Sequence, residues 1–141
     1  MSYKRETLFL ATSNRHKFLE ARSILSKHGL RLKMVKIKTL EVQHDDLETI
    51  AIHSLKDALK KVKIPLLVED AGLFIEKLSG FPGPYSSYIY QTIGIQGVLK
   101  ILEGEDERKA QFKSAIAFAT STQQPKTFLG ITKGRISTEP K

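Results

Sequence analysis

The chain has 141 residues, 40% hydrophobic and 27% charged, proportions that exclude a disordered tract or fibrous repeat and fit one globular domain with a real core. It has no cysteine, which excludes disulfides, thiolate metal sites and a cysteine nucleophile, so any metal must sit on oxygen or imidazole. The net charge of +8, from 23 Lys and Arg against 15 Asp and Glu, suits polyanions, nucleotides and nucleic acid alike.

Thr7-Leu8-Phe9-Leu10-Ala11 is a short apolar run that stops at a polar turn, residues 12–17, and leads into an amphipathic stretch. The spacing of Phe18, Ala21 and Leu25 predicts a helix over about residues 15–28, with Asn14 as N-cap and Gly29 just past its end. Residues 31–37 can alternate as a strand. Leu47, Ile50, Ala51, Leu55, Ala58, Leu59 and Val62 then follow a 3.6-residue period, the clearest helix of the chain.

Pro65 closes that helix, and Leu66-Leu67-Val68 is predicted as a buried strand whose apolar run ends at Glu69-Asp70. Gly80-Phe81-Pro82-Gly83-Pro84 is dense in residues that fix turns, and Phe81, Tyr85, Tyr88 and Tyr90, in or beside it, could stack on a base or pack over the core, the latter being expected for most of them. Ile95, Val98, Leu99 and Leu102 predict a further helix ending at Gly104. Residues 110–120 alternate with Phe112, Ser114, Ile116 and Phe118 on one face, and Gln123-Gln124-Pro125 turns toward Thr127-Phe128-Leu129 and a last strand near residues 131–136. Strand and helix alternate and hairpins follow, which indicates an α/β or α+β domain with a mixed sheet.

The turn 12–17 joins a strand to a helix N-terminus, where open N–H groups and the helix dipole favour an anion such as phosphate. Thr12 and Asn14 can add side-chain donors, and Lys17 adds a point charge. By spacing alone, an ordinary capped helix with an exposed lysine is equally good. Neither a P-loop nor a dinucleotide fingerprint occurs anywhere in the chain. Glu69 and Asp70 could meet Glu41, Asp45, Asp46 or Glu48 around one hard cation. For Asp45, Asp46 and Glu48 the better reading is a dipole-favourable helix N-terminus. The four histidines show no ligand spacing.

Three strings together resemble the inosine triphosphate pyrophosphatase family: Thr12-Ser13-Asn14-x-x-Lys17, Glu69-Asp70-Ala71-Gly72-Leu73, and Leu78-x-Gly80-Phe81-Pro82-Gly83-x-Tyr85-Ser86-Ser87. Ala110-x-Phe112 and Gly130-x-x-x-Gly134-x-Ile136 extend the likeness over essentially the whole chain. The resemblance implies an ITPase-like domain over residues 1–141: an elongated mixed sheet flanked by helices, with two lobes around a central cleft. It further implies a homodimer that cleaves inosine, xanthosine and related purine nucleoside triphosphates to monophosphate and pyrophosphate with Mg²⁺, Mn²⁺ being the alternative ion.

By matching position, the resemblance assigns phosphate or substrate contacts to Thr12, Ser13, Asn14, Lys17, Ala71, Gly72, Ser86 and Ser87. It assigns the metal to Glu41 and Asp70, and the chemistry to Asp70 with Glu69 and Lys17. Ala71 stands where the family usually has Ser, and Tyr88 where many members carry Arg. Family members also continue for several dozen residues past the position of Lys141, with a Gly-Phe-Gly-Tyr-Asp-Pro loop, a Lys and a Ser-His-Arg motif that recognise the purine. The chain is therefore expected to be C-terminally short, and a nucleotide-binding module with weak or no catalysis is the alternative.

A triphosphate repels a nucleophile, so cationic groups must neutralise it while a carboxylate orients water, with attack expected at the α-phosphorus. A nucleic-acid binder is the poorer fit, because Lys and Arg are interleaved with acids rather than gathered in a stripe. No apolar run approaches the roughly 20 residues of a bilayer span, and Met1-Ser2-Tyr3-Lys4-Arg5-Glu6 lacks the apolar stretch of a signal peptide. A cytoplasmic location without membrane contact is expected.

Overall fold

A computed structural model describes residues 6–39, 42–120 and 122–141. Strand β1 (Thr7–Ala11) leads into helix α1 (Arg15–Ser26), then β2 (Arg31–Val35), α2 (Leu47–Lys61) and β3 (Leu66–Ile75). A short 3-10 turn (Glu76–Leu78), β4 (Pro82–Gly83), α3 (Ser86–Thr92) and α4 (Gly94–Ile101) follow, and the hairpin of β5 (Lys109–Ala119) and β6 (Lys126–Arg135) ends the order. The six strands form one mixed sheet in the order β2-β1-β3-β5-β6, with β4 paired to β3.

β1 runs parallel to β2 and β3, while β5 is antiparallel to β3 and to β6. From β1 the chain crosses one way to β2, and from β2 it crosses back over β1 to β3. Right-handed crossovers in opposite directions put α1 and α2 on opposite faces of the sheet. α2 buries Leu47, Ala51, Leu55 and Ala58 against Leu66 and Val68 of β3 and Ala115, Ala117 and Ala119 of β5. Those alanines let the helix lie close to the sheet. Leu10 and Leu32 point to the other face and are also buried.

β3 and β5 pair over their whole length, from Leu66 opposite Ala119 to Ile75 opposite Ala110. This long ladder carries the sheet to a second apolar cluster of Ile75, Leu102 and Ala110, packed by Leu73, Leu78, Val98 and Ile136. The two clusters are the physical basis of the expected lobes. Near the second, Arg108 is 7% exposed and donates to the carbonyls of Leu102, Glu105, Ile136 and Ser137. It ties the α4 terminus to the chain after β6.

Four details differ from the sequence reading. β3 does not stop at Glu69-Asp70, because β5 pairs past that point and the chain stays extended to Ile75. Ser86–Thr92, for which the sequence predicts no element, is helical. β6 is one strand through Gly130 instead of two pieces, since β5 pairs on both sides of the glycine. Phe81, Tyr85, Tyr88 and Tyr90 are exposed rather than core, and so are Phe112 (62%) and Phe128 (60%), these two because it is the alanine face of β5 that lies under α2. Among the described residues no helix is long and apolar enough to cross a membrane.

Candidate active site

The strand order reverses between β1 and β3, the position in an open α/β sheet where a crevice forms beyond the carboxyl end of a strand. There β1 stops at Ala11 while β3 runs on, and a cleft of about 660 Å³ opens. Thr12, Ser13, Asn14 and Lys17 line it from the turn, Ile37, Lys38 and Thr39 from the segment after β2, and Ile50, Ala51 and Ser54 from α2. Val68, Glu69, Asp70 and Ala71 form its floor on β3, and Pro84 and Ser87 its far rim.

Local hydrogen bonds fix the turn. The Thr12 N–H donates to the Val35 carbonyl at 3.1 Å, and the Thr12 hydroxyl oxygen accepts from the Asn14 N–H at 3.0 Å. The Asn14 side chain accepts from the Lys17 N–H at 3.1 Å and caps α1. The N–H groups of the first helical turn are thereby aimed out of the helix end, into the region the dipole makes attractive to an anion. The Asn14 amide group and the Thr12 O–H remain as side-chain donors beside them.

Successive residues of a pleated strand face opposite ways. Asp70 shares the face of Leu66 and Val68, which pack under α2, and Glu69 shares the α1 side. Glu69 accordingly meets the Lys17 ammonium at 3.8 Å, with the side chains 21% and 34% exposed. A pair this open contributes at most about 1 kcal/mol, so it holds Lys17 over the cleft without neutralising it for a stronger anion. Asp70 lies opposite Ala115 in the ladder.

Of the expected site residues, the cleft thus gathers Thr12, Ser13, Asn14, Lys17, Glu69, Asp70, Ala71 and Ser87. Gly72 and Ser86 lie outside the lining, for structural reasons. A Cβ on Gly72 would come within 2.2 Å of the Gly83 carbonyl oxygen, so glycine is what lets β4 approach β3. The Ser86 hydroxyl accepts from the Leu73 N–H at 2.7 Å and donates to the Gly83 carbonyl at 2.6 Å, joining α3, β3 and β4. Glu41 lies outside the described residues. Asp46 caps α2 by accepting from the Thr49 N–H and hydroxyl, and Glu48 accepts from the Thr127 hydroxyl, which supports their helix-terminus reading.

The sequence reading missed Lys38, Thr39 and Ser54. Ser54 carried a signal, as a polar residue on the otherwise apolar stripe of α2.

Among the described residues no three carboxylates or imidazoles form a metal cage. A hard ion of the magnesium type needs none, since it takes one or two carboxylates and fills its shell with waters and substrate phosphates. The oxygen donors of the β3 acids beside the α1 N-terminus fit such an ion.

Residues 8–141 match the model of the Ham1 family. The chain belongs to that family. Its Ham1 relatives include the dITP/XTP pyrophosphatase of Methanopyrus kandleri, 44% identical over 134 residues that cover 95% of this chain and 71% of the relative. The dITP/XTP pyrophosphatase of Pyrococcus horikoshii is 43% identical over 132 residues, 94% of this chain and 70% of that one. Among solved structures, a HAM1 protein from Coxiella burnetii superposes with a TM-score of 0.79 at 27% identity, over 96% of this chain and 75% of that one. The nucleoside-triphosphatase and dITP/XTP pyrophosphatase of Mycobacterium abscessus gives 0.76 at 21% identity, over 96% and 76%, and supports the fold. The family resemblance read from the three strings is the one these comparisons show.

Proposed function

We propose that this Ham1 protein hydrolyses aberrant purine nucleoside triphosphates such as dITP, XTP and ITP to the monophosphate and pyrophosphate, in the cytoplasm, clearing them from the nucleotide pool. The observation that carries the reading is the cleft at the strand-order reversal, where one helix tip and its lysine face the β3 acids. Two pyrophosphatase relatives above 40% identity support the substrate class.

In this reading the turn donors of residues 12–14 and the Lys17 ammonium bind the phosphate oxygens, with Ser87 and Ala71 bordering the substrate. Gly72 and Ser86 keep that rim in place. Asp70, joined by Glu41, would hold Mg²⁺, which when bound supplies positive charge to the polyphosphate. Asp70 also orients a water toward the α-phosphorus, and Glu69 keeps Lys17 over the phosphates. Water oxygen bonds to the α-phosphorus, the bond from that phosphorus to the bridging oxygen breaks, and pyrophosphate leaves. Exposed Phe112, Ile116 and Phe128 share one face of the β5–β6 hairpin and support a homodimer, since apolar patches of this kind commonly mark contacts between chains.

The test is to incubate the protein with ITP and Mg²⁺ and separate the products. IMP with pyrophosphate is expected, and chelation of the metal stops it. IDP with inorganic phosphate would refute attack at the α-phosphorus, and binding of ITP without product would refute hydrolysis. Light scattering should give twice the chain mass; the mass of one chain would refute the dimer.

A further inference from the structure

Strands β5 and β6 carry Lys109, Lys113, Lys126, Lys133 and Arg135 and contain neither aspartate nor glutamate. The pleat sorts those cations by face. Lys109 and Lys113 alternate in step with Ala115, Ala117 and Ala119, which pack under α2. Across the ladder Arg135 lies opposite Lys109 and Lys133 opposite Gln111, so Lys133 is diagonal to both lysines of β5. All but Lys126 therefore share the α2 face, beyond the alanines that the helix covers. Cations that are interleaved with other residues along the chain are gathered by the fold.

Lys109, Lys113 and Lys133 line a groove of about 740 Å³ together with Phe74, Gln111 and one acid, Glu76. The groove shares no lining residue with the cleft at the strand-order reversal. The Lys113 ammonium stands 4.5 Å from the centroid of the Phe74 ring, a contact that positions the charge without neutralising it. Lys109 has Glu107 at 3.8 Å, in a pair exposed on both sides, which offsets its charge only weakly.

Like charges opposite one another in an antiparallel ladder repel. An anion laid across both strands turns that repulsion into attraction. Alternate residues along β5 are about 6.8 Å apart, and paired residues across the ladder about 5 Å, so the patch suits a chain of anions better than a single one. Exposed Ile131 and the partly buried Phe74 ring lie on the same face and give it apolar surface beside the charges. A nucleic-acid strand with unpaired bases can use both kinds of surface, whereas a duplex keeps its bases stacked inside.

We propose that this open face of β3, β5 and β6 binds single-stranded nucleic acid, with phosphates on Lys109, Lys113, Lys133 and Arg135 and bases over Phe74 and Ile131.

The test is fluorescence anisotropy of a labelled oligothymidylate titrated with the full chain over a series of salt concentrations. The same titration is run on Lys113→Gln/Lys133→Gln, on Lys56→Gln/Lys60→Gln, which removes two exposed lysines of α2, and on Lys17→Ala. The hairpin variant should weaken binding on the order of tenfold at low salt and flatten the slope of log K against log salt by about 1.4, at about 0.7 per phosphate contact. Its Tm should stay level or rise as the repulsion is relieved, and its turnover of ITP should be unchanged. The α2 pair and Lys17→Ala should bind as the wild type does, and a duplex of the same length or polyglutamate should bind more weakly.

An oligothymidylate that does not bind at low salt would overturn the proposal. Equal losses in the two lysine pairs would reduce it to net charge, and a loss in Lys17→Ala alone would place the strand in the cleft instead. Duplex or polyglutamate binding as tight as the single strand would refute the contacts to bases.

Discussion

Replacing Gly72 with alanine tests how tightly the rim is built. The added Cβ would sit 2.2 Å from the Gly83 carbonyl oxygen and 2.8 Å from its carbon, well inside the ordinary contact distance of 3.5–4.0 Å. Both atoms are backbone, so no side-chain rotation relieves the overlap, and β4 must move away from β3. Overpacking costs about 1–3 kcal/mol, and a backbone-against-backbone clash belongs at the upper end. For a chain of this size, about 3 kcal/mol lowers Tm by roughly 10 °C. Activity should fall further than stability accounts for, because Asp70 lies two residues away on the same face of β3. A displacement on the order of 1 Å there costs about a hundredfold in rate.

The control is Gly134→Ala, where a Cβ meets nothing within 4 Å and stability should stay within about 1 kcal/mol. Thermal melts and pyrophosphate release measured on both variants decide the matter. A Gly72→Ala protein that melts with the wild type and turns over ITP at its rate would refute the packing argument.

Lys17→Met should lower kcat/KM for ITP by about a hundredfold or more, the cost of losing one preorganised charge contact, with a Tm shift of at most a few degrees because the Glu69 pair is half open. Loss of fold with loss of activity would count against its phosphate role. Asp46→Ala should cost about 1 kcal/mol at neutral pH. The Thr49 hydroxyl, with the N–H groups of Thr49 and Glu48, holds the Asp46 carboxyl below its ordinary pKa. Its contribution is therefore complete above the unfolded value, about 4, and is lost as pH falls through the lower folded value. Melts in acid should show the gap to wild type narrowing; a gap that widens would refute the cap. Arg108→Ala removes a donor from four carbonyls, of which only that of Leu102 keeps a second one, the Glu105 N–H, and should destabilise by about 3 kcal/mol in urea titrations, with Arg108→Lys recovering only part because it lacks the planar fork. Full recovery by lysine would refute that geometry.

Helix α2 was legible almost to the residue, because its apolar period is interrupted only by Ser54 and Asp46 and Pro65 punctuate both sides. The turn 12–17 was legible for a similar reason: a strand, a cap and a helix follow one another locally. What the sequence hid depended on partners distant in the chain. Glu69-Asp70-Ala71-Gly72 reads as a strand end, and only the β5 ladder keeps it extended. Phe112, Ser114, Ile116 and Phe118 look like the buried face of β5, yet the closest packing is on the alanine face, where α2 needs small residues. Most of the cleft follows from contiguous strings, whereas Lys38 and Thr39 reach it through a crossover that no local pattern encodes.

The pleat of β3 gives each face of the strand one acid, and both border the same cleft. Sliding β3 by a single position against β5 would exchange the two faces, handing Lys17 the wrong neighbour and turning Asp70 away from α2. Leu66 and Val68 oppose such a slip, since it would put Leu67 and Glu69 into the places they fill under α2. The residues with the least chemistry in the chain thus act as the detent that keeps the reactive pair indexed.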